Sequence, residues 1–403
     1  MSQPTYDNPY RPGAGHVPPY LAGRTAEFDE FDQLIRQNPI LKNMVINGLR
    51  GLGKTVLLDA LKARALSNGW FWAGTDLTES ASLSEKHFAT RLLADLAVVT
   101  SSYAVAGAQP VITTGFSAAE AERPKLDFRA LSDTYDQTPG LTVDRLKAVL
   151  KLAYETLRAS GHDGRLIFAY DEAQNLRDNA NRSNEYPLSA LLDTFQALQR
   201  EGIPFMLVLV GLPNLTSKLV EARAYAERMF RIITLDRLTE DECREAITRP
   251  LEQTALRMSE ASVDVLVETS AGYPYFVQFM CREAFDVFIQ KVRDNENPAV
   301  PIDAIQLKLD ADFFAGKWGS LTDRQRDLLY VTATLNSAEF SLQEVSTASE
   351  QLAVKKFSSS HVNQMYSTLI DQGLIYSHRY GKYSFALPLY DKFIMRQYRA
   401  DGP

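Results

Sequence analysis

The stretch Gly48-Leu49-Arg50-Gly51-Leu52-Gly53-Lys54-Thr55, set directly behind the apolar run Met44-Val45-Ile46, constrains this chain more than any other. Its pattern, Gly-x-x-x-x-Gly-Lys-Thr between an apolar strand and an amphipathic helix, is a P-loop. The glycines let successive backbone N–H groups curl around a phosphate. Lys54 places a point charge on the outer phosphate oxygens, and the Thr55 hydroxyl can ligate magnesium. A helix expected from about Lys54 to Ala65, with Val56, Leu57, Leu58 and Leu61 on its apolar side, points the positive end of its dipole at the same anion. The candidate nucleotide contacts are therefore Gly48, Leu49, Arg50, Gly51, Leu52, Gly53, Lys54, Thr55 and Val56.

A phosphate loop needs an acidic partner on another strand, and Arg165-Leu166-Ile167-Phe168-Ala169-Tyr170-Asp171-Glu172 supplies a Walker B pattern. Asp171 is placed to support magnesium, making Thr55 and Asp171 the candidate metal ligands, while Glu172 is placed to polarise the attacking water. Gln174 and Asn175 follow closely, either near the γ-phosphate and the water or facing solvent. A further strand, Phe205 to Val210, ends in Gly211-Leu212-Pro213-Asn214. Asn214 is there either a γ-phosphate sensor or a helix cap.

Apolar strands alternating with amphipathic helices read as a mostly parallel α/β sheet. Strands are expected at Met44–Asn47, Trp70–Thr75, Leu166–Tyr170, Phe205–Val210 and Arg231–Leu235, with helices at Leu83–Val99, Val143–Ala159 and Leu188–Arg200. Between about Thr100 and Thr142 the rhythm breaks into small and polar residues with several prolines, an insertion or mobile loop. Residues 1–20, rich in proline, glycine and tyrosine, read as an extended arm, the first eight equally as a tail. Beyond Leu238 helices replace strands.

At 403 residues the chain exceeds one comfortable core. A net charge of -7 argues against a protein that coats nucleic acid generally, so any DNA site must be local. Two cysteines, Cys243 and Cys281, make neither a disulfide framework nor a cysteine metal site. With no membrane-length apolar run and no signal-like N-terminus, the expectation is a cytoplasmic protein without a membrane partner.

The order of P-loop, Asp171-Glu172 strand, Val210-Gly211-Leu212-Pro213 strand end, Glu227-Arg228-Met229-Phe230 and helical lid resembles the AAA+ ATPases, in particular the branch of origin-recognition-type initiators and STAND signalling ATPases. Leu21-Ala22-Gly23-Arg24-Thr25-Ala26-Glu27 and Gly272-Tyr273-Pro274-Tyr275-Phe276 carry the same resemblance, which spans about residues 18–290. It implies ATP and Mg2+ as cofactors and Glu172, Lys54, Arg228 and Asn214 as the catalytic set. Arg228 would reach a neighbouring subunit's γ-phosphate in trans, with Arg223 and Arg231 close by as rivals. Tyr273 and Pro274 would pack near the adenine, with Tyr20 or Leu21. The initiators' lid arginine is replaced here by Gly272-Tyr273-Pro274, as in STAND proteins.

After Leu321, helices at Arg324–Thr334, Ser341–Ala348 and Ser358–Gln372 precede two strands, Leu374–Ser377 and Tyr383–Leu387, and a last helix, Tyr390–Tyr398. Three helices and a hairpin resemble the winged-helix modules that follow many such ATPases. From Lys317 on there are ten Lys and Arg against eight Asp and Glu, less basic than a dedicated duplex binder. Ser358-Ser359-Ser360-His361, Asn363 and Gln364 could still reach phosphates or base edges, with Lys355, Lys356, Arg379 and Lys382 as a rim.

The expected architecture is α/β: a P-loop NTPase parallel sheet of the AAA+ type (21–238, insertion about 100–142) after the arm 1–20, then a helical lid (239–316) and a winged helix (317–403). The expected function is Mg-ATP hydrolysis controlling assembly and contact with double-stranded DNA through residues 317–403, with a homo-oligomer or regulatory protein as further partner. The alternative is a STAND-like nucleotide switch with little turnover, its winged helix used for autoinhibition or protein binding. DNA-stimulated turnover separates the two.

Overall fold

The computed structural model describes residues 7–13, 15–107, 109, 111–112, 121–178, 184–293, 299–352, 354–379 and 381–401. The chain divides into two compact units, one of residues 25–47 and 54–234, the other of residues 1–24, 48–53 and 235–403.

In the first unit, strands β1 (Asn43–Asn47), β2 (Phe71–Ala73), β5 (Leu166–Tyr170), β6 (Phe205–Gly211) and β7 (Phe230–Thr234) form one parallel sheet in the order β2-β5-β6-β1-β7. A separate two-stranded pair, β3 (Val111–Ile112) and β4 (Ala121–Glu122), lies outside it. The three central strands are buried along their whole length, because helices cover both faces of a parallel sheet and only apolar side chains fit there. Their unbroken runs, such as Met-Leu-Val-Leu-Val, follow from that. The edge strand β7 pairs with β1 alone and exposes Arg231 and Ile232. Its half-polar pattern is the weaker strand signal, and it begins one residue earlier than the sequence suggests.

Strand β2 stops at Ala73, short of the expected Thr75, for a steric reason. At Gly74, φ is +134°, and a Cβ there would lie 1.8 Å from the Ala169 carbonyl oxygen. Only glycine admits so close a crossing. The chain then resumes beside Asp171, whose N–H donates to the Thr75 carbonyl (3.3 Å) and whose carbonyl accepts from the Leu77 N–H (2.9 Å).

Within the stretch expected to be irregular, Phe128–Gln137 is a helix. Asp127 caps it by accepting from the Ala130 N–H, and Leu131 and Tyr135, one turn apart, are buried. Only two of its apolar residues are buried and Phe128 is exposed, so a short apolar face among prolines and polar residues is easily missed in the sequence. The other helices of this unit, Glu85–Thr100, Thr142–Ala159 and Pro187–Arg200, lie close to their expected places.

In the second unit, Pro274–Arg293 is a long helix with Phe276, Val277, Met280, Cys281, Ala284 and Phe285 buried along it. The N-terminal arm is tied to this unit rather than free. Asn8 Nδ2 donates to the Arg282 carbonyl (2.9 Å) and Asp286 Oδ1 (2.7 Å), and the buried Tyr10 donates its hydroxyl to the Ile247 carbonyl. Residues 1–6 lie outside the described residues. Further on come helices Asp323–Thr334, Leu342–Ser349 and Ser359–Asp371, an antiparallel hairpin of β8 (Ile375–Arg379) and β9 (Lys382–Phe385), and helix Tyr390–Asp401. Phe340 bridges Tyr383 as a third extended element. The first and last of these helices are joined by stacked Tyr330 and Tyr398 rings, 3.8 Å between centroids. Among the described residues no helix is long and apolar enough to cross a membrane.

Candidate functional site

Strand β5 delivers Asp171 to the C-terminal edge of the sheet, where parallel strands present their loops. Thr55, in the first turn of helix Lys54–Ser67, donates its hydroxyl to Asp171 Oδ2 at 2.6 Å, and the Glu172 N–H donates to Asp171 Oδ1 at 2.7 Å. The two expected metal ligands are thus brought together. Asp171 is only 4% exposed. Burial raises its carboxyl above the ordinary carboxylate range, against the opposing pull of Thr55, the Glu172 N–H and the Lys54 charge. A divalent cation offsets such a buried charge, and Mg2+ takes few protein oxygens and completes its shell with phosphate and water. Thr55 and Asp171 fit that ion.

Glu172 adopts a left-handed backbone, φ 50°, and its carboxylate accepts from Gln174 Nε2. Gln174 is buried rather than solvent-facing. Asn175 is also engaged, donating to the Leu77 carbonyl at 2.8 Å. Asn214 stands at the start of helix Leu215–Ala222, yet its side chain makes no capping bond and its buried Oδ1 has no partner among the described residues. The same holds for Asn47 Oδ1 at the end of β1, while Asn47 Nδ2 donates to Thr216 Oγ1 at 2.9 Å. Among the described residues, the end of β1 and the turn that follows β6 thus each carry an amide oxygen without a hydrogen-bond partner. Buried polar atoms of this kind call for water or a ligand.

The three rival arginines are separated by their surroundings. Arg223 is clamped to Asp193 by two bonds of 2.6 and 2.8 Å, and Arg231 is paired with Glu30. Arg228 is exposed, and no partner for its guanidinium is found among the described residues. It precedes Phe230, which sits opposite Asn43 at the N-terminal end of β1. Five residues at about 3.3 Å each separate that end from the edge where β1 hands over to the P-loop. Arg228 therefore lies by the N-terminal end of β1, at the opposite edge of the sheet from Asn47.

The Asp193 anchor has a pH signature. Burial pushes its carboxyl up, but hydrogen bonds from Arg223 and Tyr225 outweigh that and hold it below the usual range. A depressed folded-state pKa contributes stability that is whole above about pH 4, the unfolded value, and is lost as pH falls through the folded pKa. Asp193→Asn should therefore lower the melting temperature at pH 7, by roughly 1–2 kcal/mol of stability, and the gap to wild type should close below the folded pKa. A gap of constant size from pH 7 to 3, read by circular dichroism melts, would contradict this.

In the second unit, the loop Gly48–Gly53 turns through Gly51 (φ 79°) and Gly53 (φ 81°), the left-handed region that glycine occupies at least cost. Arg24 grips this loop. Only 5% exposed, it donates from Nη2 to the Leu52 carbonyl (3.0 Å) and the Asp236 carbonyl (3.2 Å). The sequence marked Arg24 only through resemblance, since nothing in its spacing shows that it is buried. The Tyr275 N–H donates to the Gly51 carbonyl at 3.2 Å. A Cβ on Gly51 would sit 3.6 Å from both Pro388 and Tyr275, and one on Gly373 would lie 3.3 Å from the Arg50 guanidinium. Tyr273 is buried with the Arg237 guanidinium 4.7 Å from its ring centre, Pro274 opens the long helix, and Tyr20 donates to Glu245 at 2.7 Å.

Residues 311–394 match a family described as a domain of unknown function, DUF8462. No curated protein matches the sequence. Among solved structures the chain is similar to a Walker-type ATPase of Pyrococcus abyssi, with 15% identity, 93% of this chain and 96% of that one covered, and a TM-score of 0.58. It is also similar to the ORC2 protein of Aeropyrum pernix in its ADP form, with 15% identity, 96% and 97% covered, and a TM-score of 0.54. At such identity the likeness is one of fold: a P-loop α/β sheet of the AAA+ type.

Proposed function

We propose that this chain is a Mg-ATP-binding and hydrolysing ATPase of the AAA+ type whose nucleotide state controls assembly. The observation that carries this reading is the Thr55–Asp171 pair with Glu172 fastened beside it. In this reading the backbone amides of Gly48–Val56 and the Lys54 ammonium hold the phosphates, and Thr55 and Asp171 hold magnesium. Magnesium, when bound, neutralises charge on the β- and γ-oxygens and orients them. Glu172 accepts a proton from the attacking water, and Asn214 orients that water through its Oδ1, or the γ-phosphate through its Nδ2. Arg228 acts in trans on a neighbouring copy. Tyr273 and Pro274 bound the adenine side.

We read residues 317–403 as a winged helix contacting double-stranded DNA. Ser359, Ser360, His361, Asn363 and Gln364 are exposed on one helix, beside exposed Lys355 and Lys356. Lys382, expected in the same basic rim, is paired with Glu344 at 3.1 Å, which leaves that rim smaller. The test is steady-state ATP hydrolysis over a range of protein concentrations, with and without duplex DNA, for wild type and Arg228→Ala. Specific activity should rise with concentration and with DNA. Arg228→Ala should lose the concentration dependence and keep the basal rate. Turnover that is flat in both variables would sink the assembling, DNA-contacting enzyme.

One observation favours the alternative, a STAND-like switch with little turnover. The phosphate loop 48–53 belongs to the same compact unit as residues 235–403 and accepts a hydrogen bond there from the Tyr275 N–H, with Pro388 near Gly51 and the Arg50 guanidinium near Gly373. A C-terminal module in contact with the loop can restrain it until a regulatory partner arrives. Tight ATP binding with negligible turnover under every condition is what that reading expects.

A further inference from the structure

We infer that Gln174 is a positioning residue for hydrolysis, a clip that holds the Glu172 carboxylate against the end of strand β6; the inference rests on the ATPase reading above. Gln174 is 7% exposed, and both ends of its amide are engaged. Nε2 donates to Glu172 Oε2, and Oε1 accepts from the Leu212 N–H at 3.0 Å. Its own carbonyl accepts from Lys218 Nζ at 2.7 Å, which anchors the clip to helix Leu215–Ala222. Gly211 makes room for it, since a Cβ there would lie 2.4 Å from Gln174 Oε1. With Nε2 on Glu172, Oε1 on the Leu212 N–H and the residue only 7% exposed, Gln174 does not face solvent.

The chemistry explains why an amide stands here. Glu172 leaves the sheet on a left-handed backbone and carries a side chain with three rotatable bonds, so nothing in its own geometry aims the carboxylate. A glutamine supplies a donor for that carboxylate and an acceptor for the strand-end N–H at once, which neither an acid nor an aliphatic residue does. One Glu172 oxygen is tied down and the other is left to take the proton. The clip also joins Glu172 to the turn that bears Asn214, so base and sensor move together.

The test compares wild type, Gln174→Ala, Gln174→Glu, Glu172→Gln and the double variants in steady-state ATP hydrolysis, with ATP binding measured separately by a fluorescent analogue. Gln174→Glu is isosteric and keeps the acceptor for Leu212 but, ionised, has no hydrogen to give Glu172. Both Gln174 variants should lose roughly tenfold to a hundredfold in kcat, the scale of a misplaced reacting group, with KM and ATP affinity unchanged. In the Glu172→Gln background they should cost nothing further, because the group they position is gone. Loss of affinity together with kcat, or an equal loss in the Glu172→Gln background, would mean a merely structural role and overturn the clip. Wild-type kcat in both variants would overturn it as well. Wild-type turnover that does not depend on Glu172 would remove Glu172 from the role of base, and the clip with it, whereas no turnover in the wild type would overturn the ATPase reading itself.

Discussion

Glu172→Gln should abolish ATP hydrolysis while leaving ATP binding intact. The substitution preserves shape and removes only the ability to take a proton from water, a contribution of roughly 100- to 10,000-fold in rate. Asp171 accepts from the Thr55 hydroxyl at 2.6 Å and from the main-chain N–H of residue 172, neither of which involves the changed carboxylate, so nucleotide affinity should stay near the wild-type level. The measurement is kcat alongside equilibrium binding of a fluorescent ATP analogue. A variant that retains more than a tenth of wild-type turnover would remove Glu172 from the role of base. One that loses binding and turnover together would make it a structural support of the metal site.

Arg24→Ala should weaken nucleotide binding from a position that meets no phosphate in the proposed mechanism. The side chain is buried and its guanidinium donates to the Leu52 and Asp236 carbonyls. Truncation leaves both acceptors without that donor and opens space where the guanidinium lay. Hydrogen bonds to a charged group are worth about 1.5–3 kcal/mol each, and an orphaned buried acceptor costs about 1–3 kcal/mol. A loss of about 2–4 kcal/mol in stability is the expected result, with the phosphate loop no longer held in one conformation. ATP affinity should fall by more than tenfold. Arg24→Lys, which keeps the charge but offers one short point donor instead of a planar fork, should recover part of the stability and little of the affinity. Wild-type affinity in Arg24→Ala would show that the loop keeps its shape without this grip.

Much of the sheet and of its acidic edge was legible because those features are local in the chain. Gly48–Thr55 carries its own instructions: glycines where φ turns positive, then the lysine and threonine that open a helix. The runs Met44–Ile46, Leu166–Tyr170 and Phe205–Val210 are apolar throughout because each is covered on both faces, and that pattern survives in one dimension. Edge elements were harder. Strand β7 shows a mixed pattern because at the sheet edge it exposes residues on both faces, Arg231 and Ile232, and helix Phe128–Gln137 hides its two buried residues among eight others.

The sequence by itself determined that a phosphate loop, an acidic strand end and a parallel sheet must occur together, since each depends on residues within a few positions of one another. It also supplied three candidate arginines, two roles for Asn214 and two for Gln174, and it left all of them open. Tertiary structure alone supplied their surroundings. Asp193 and Glu30 pair with Arg223 and Arg231, the strand register sets Arg228 near the N-terminal end of β1, and Gln174 bonds both Glu172 and the Leu212 N–H just past the end of β6. The physical reason is that a hydrogen bond or ion pair is a property of two groups brought within about 3 Å; Arg223 and Asp193, Gln174 and Leu212, and Arg231 and Glu30, which are 30, 38 and 201 positions apart, acquire that distance only when the chain has folded.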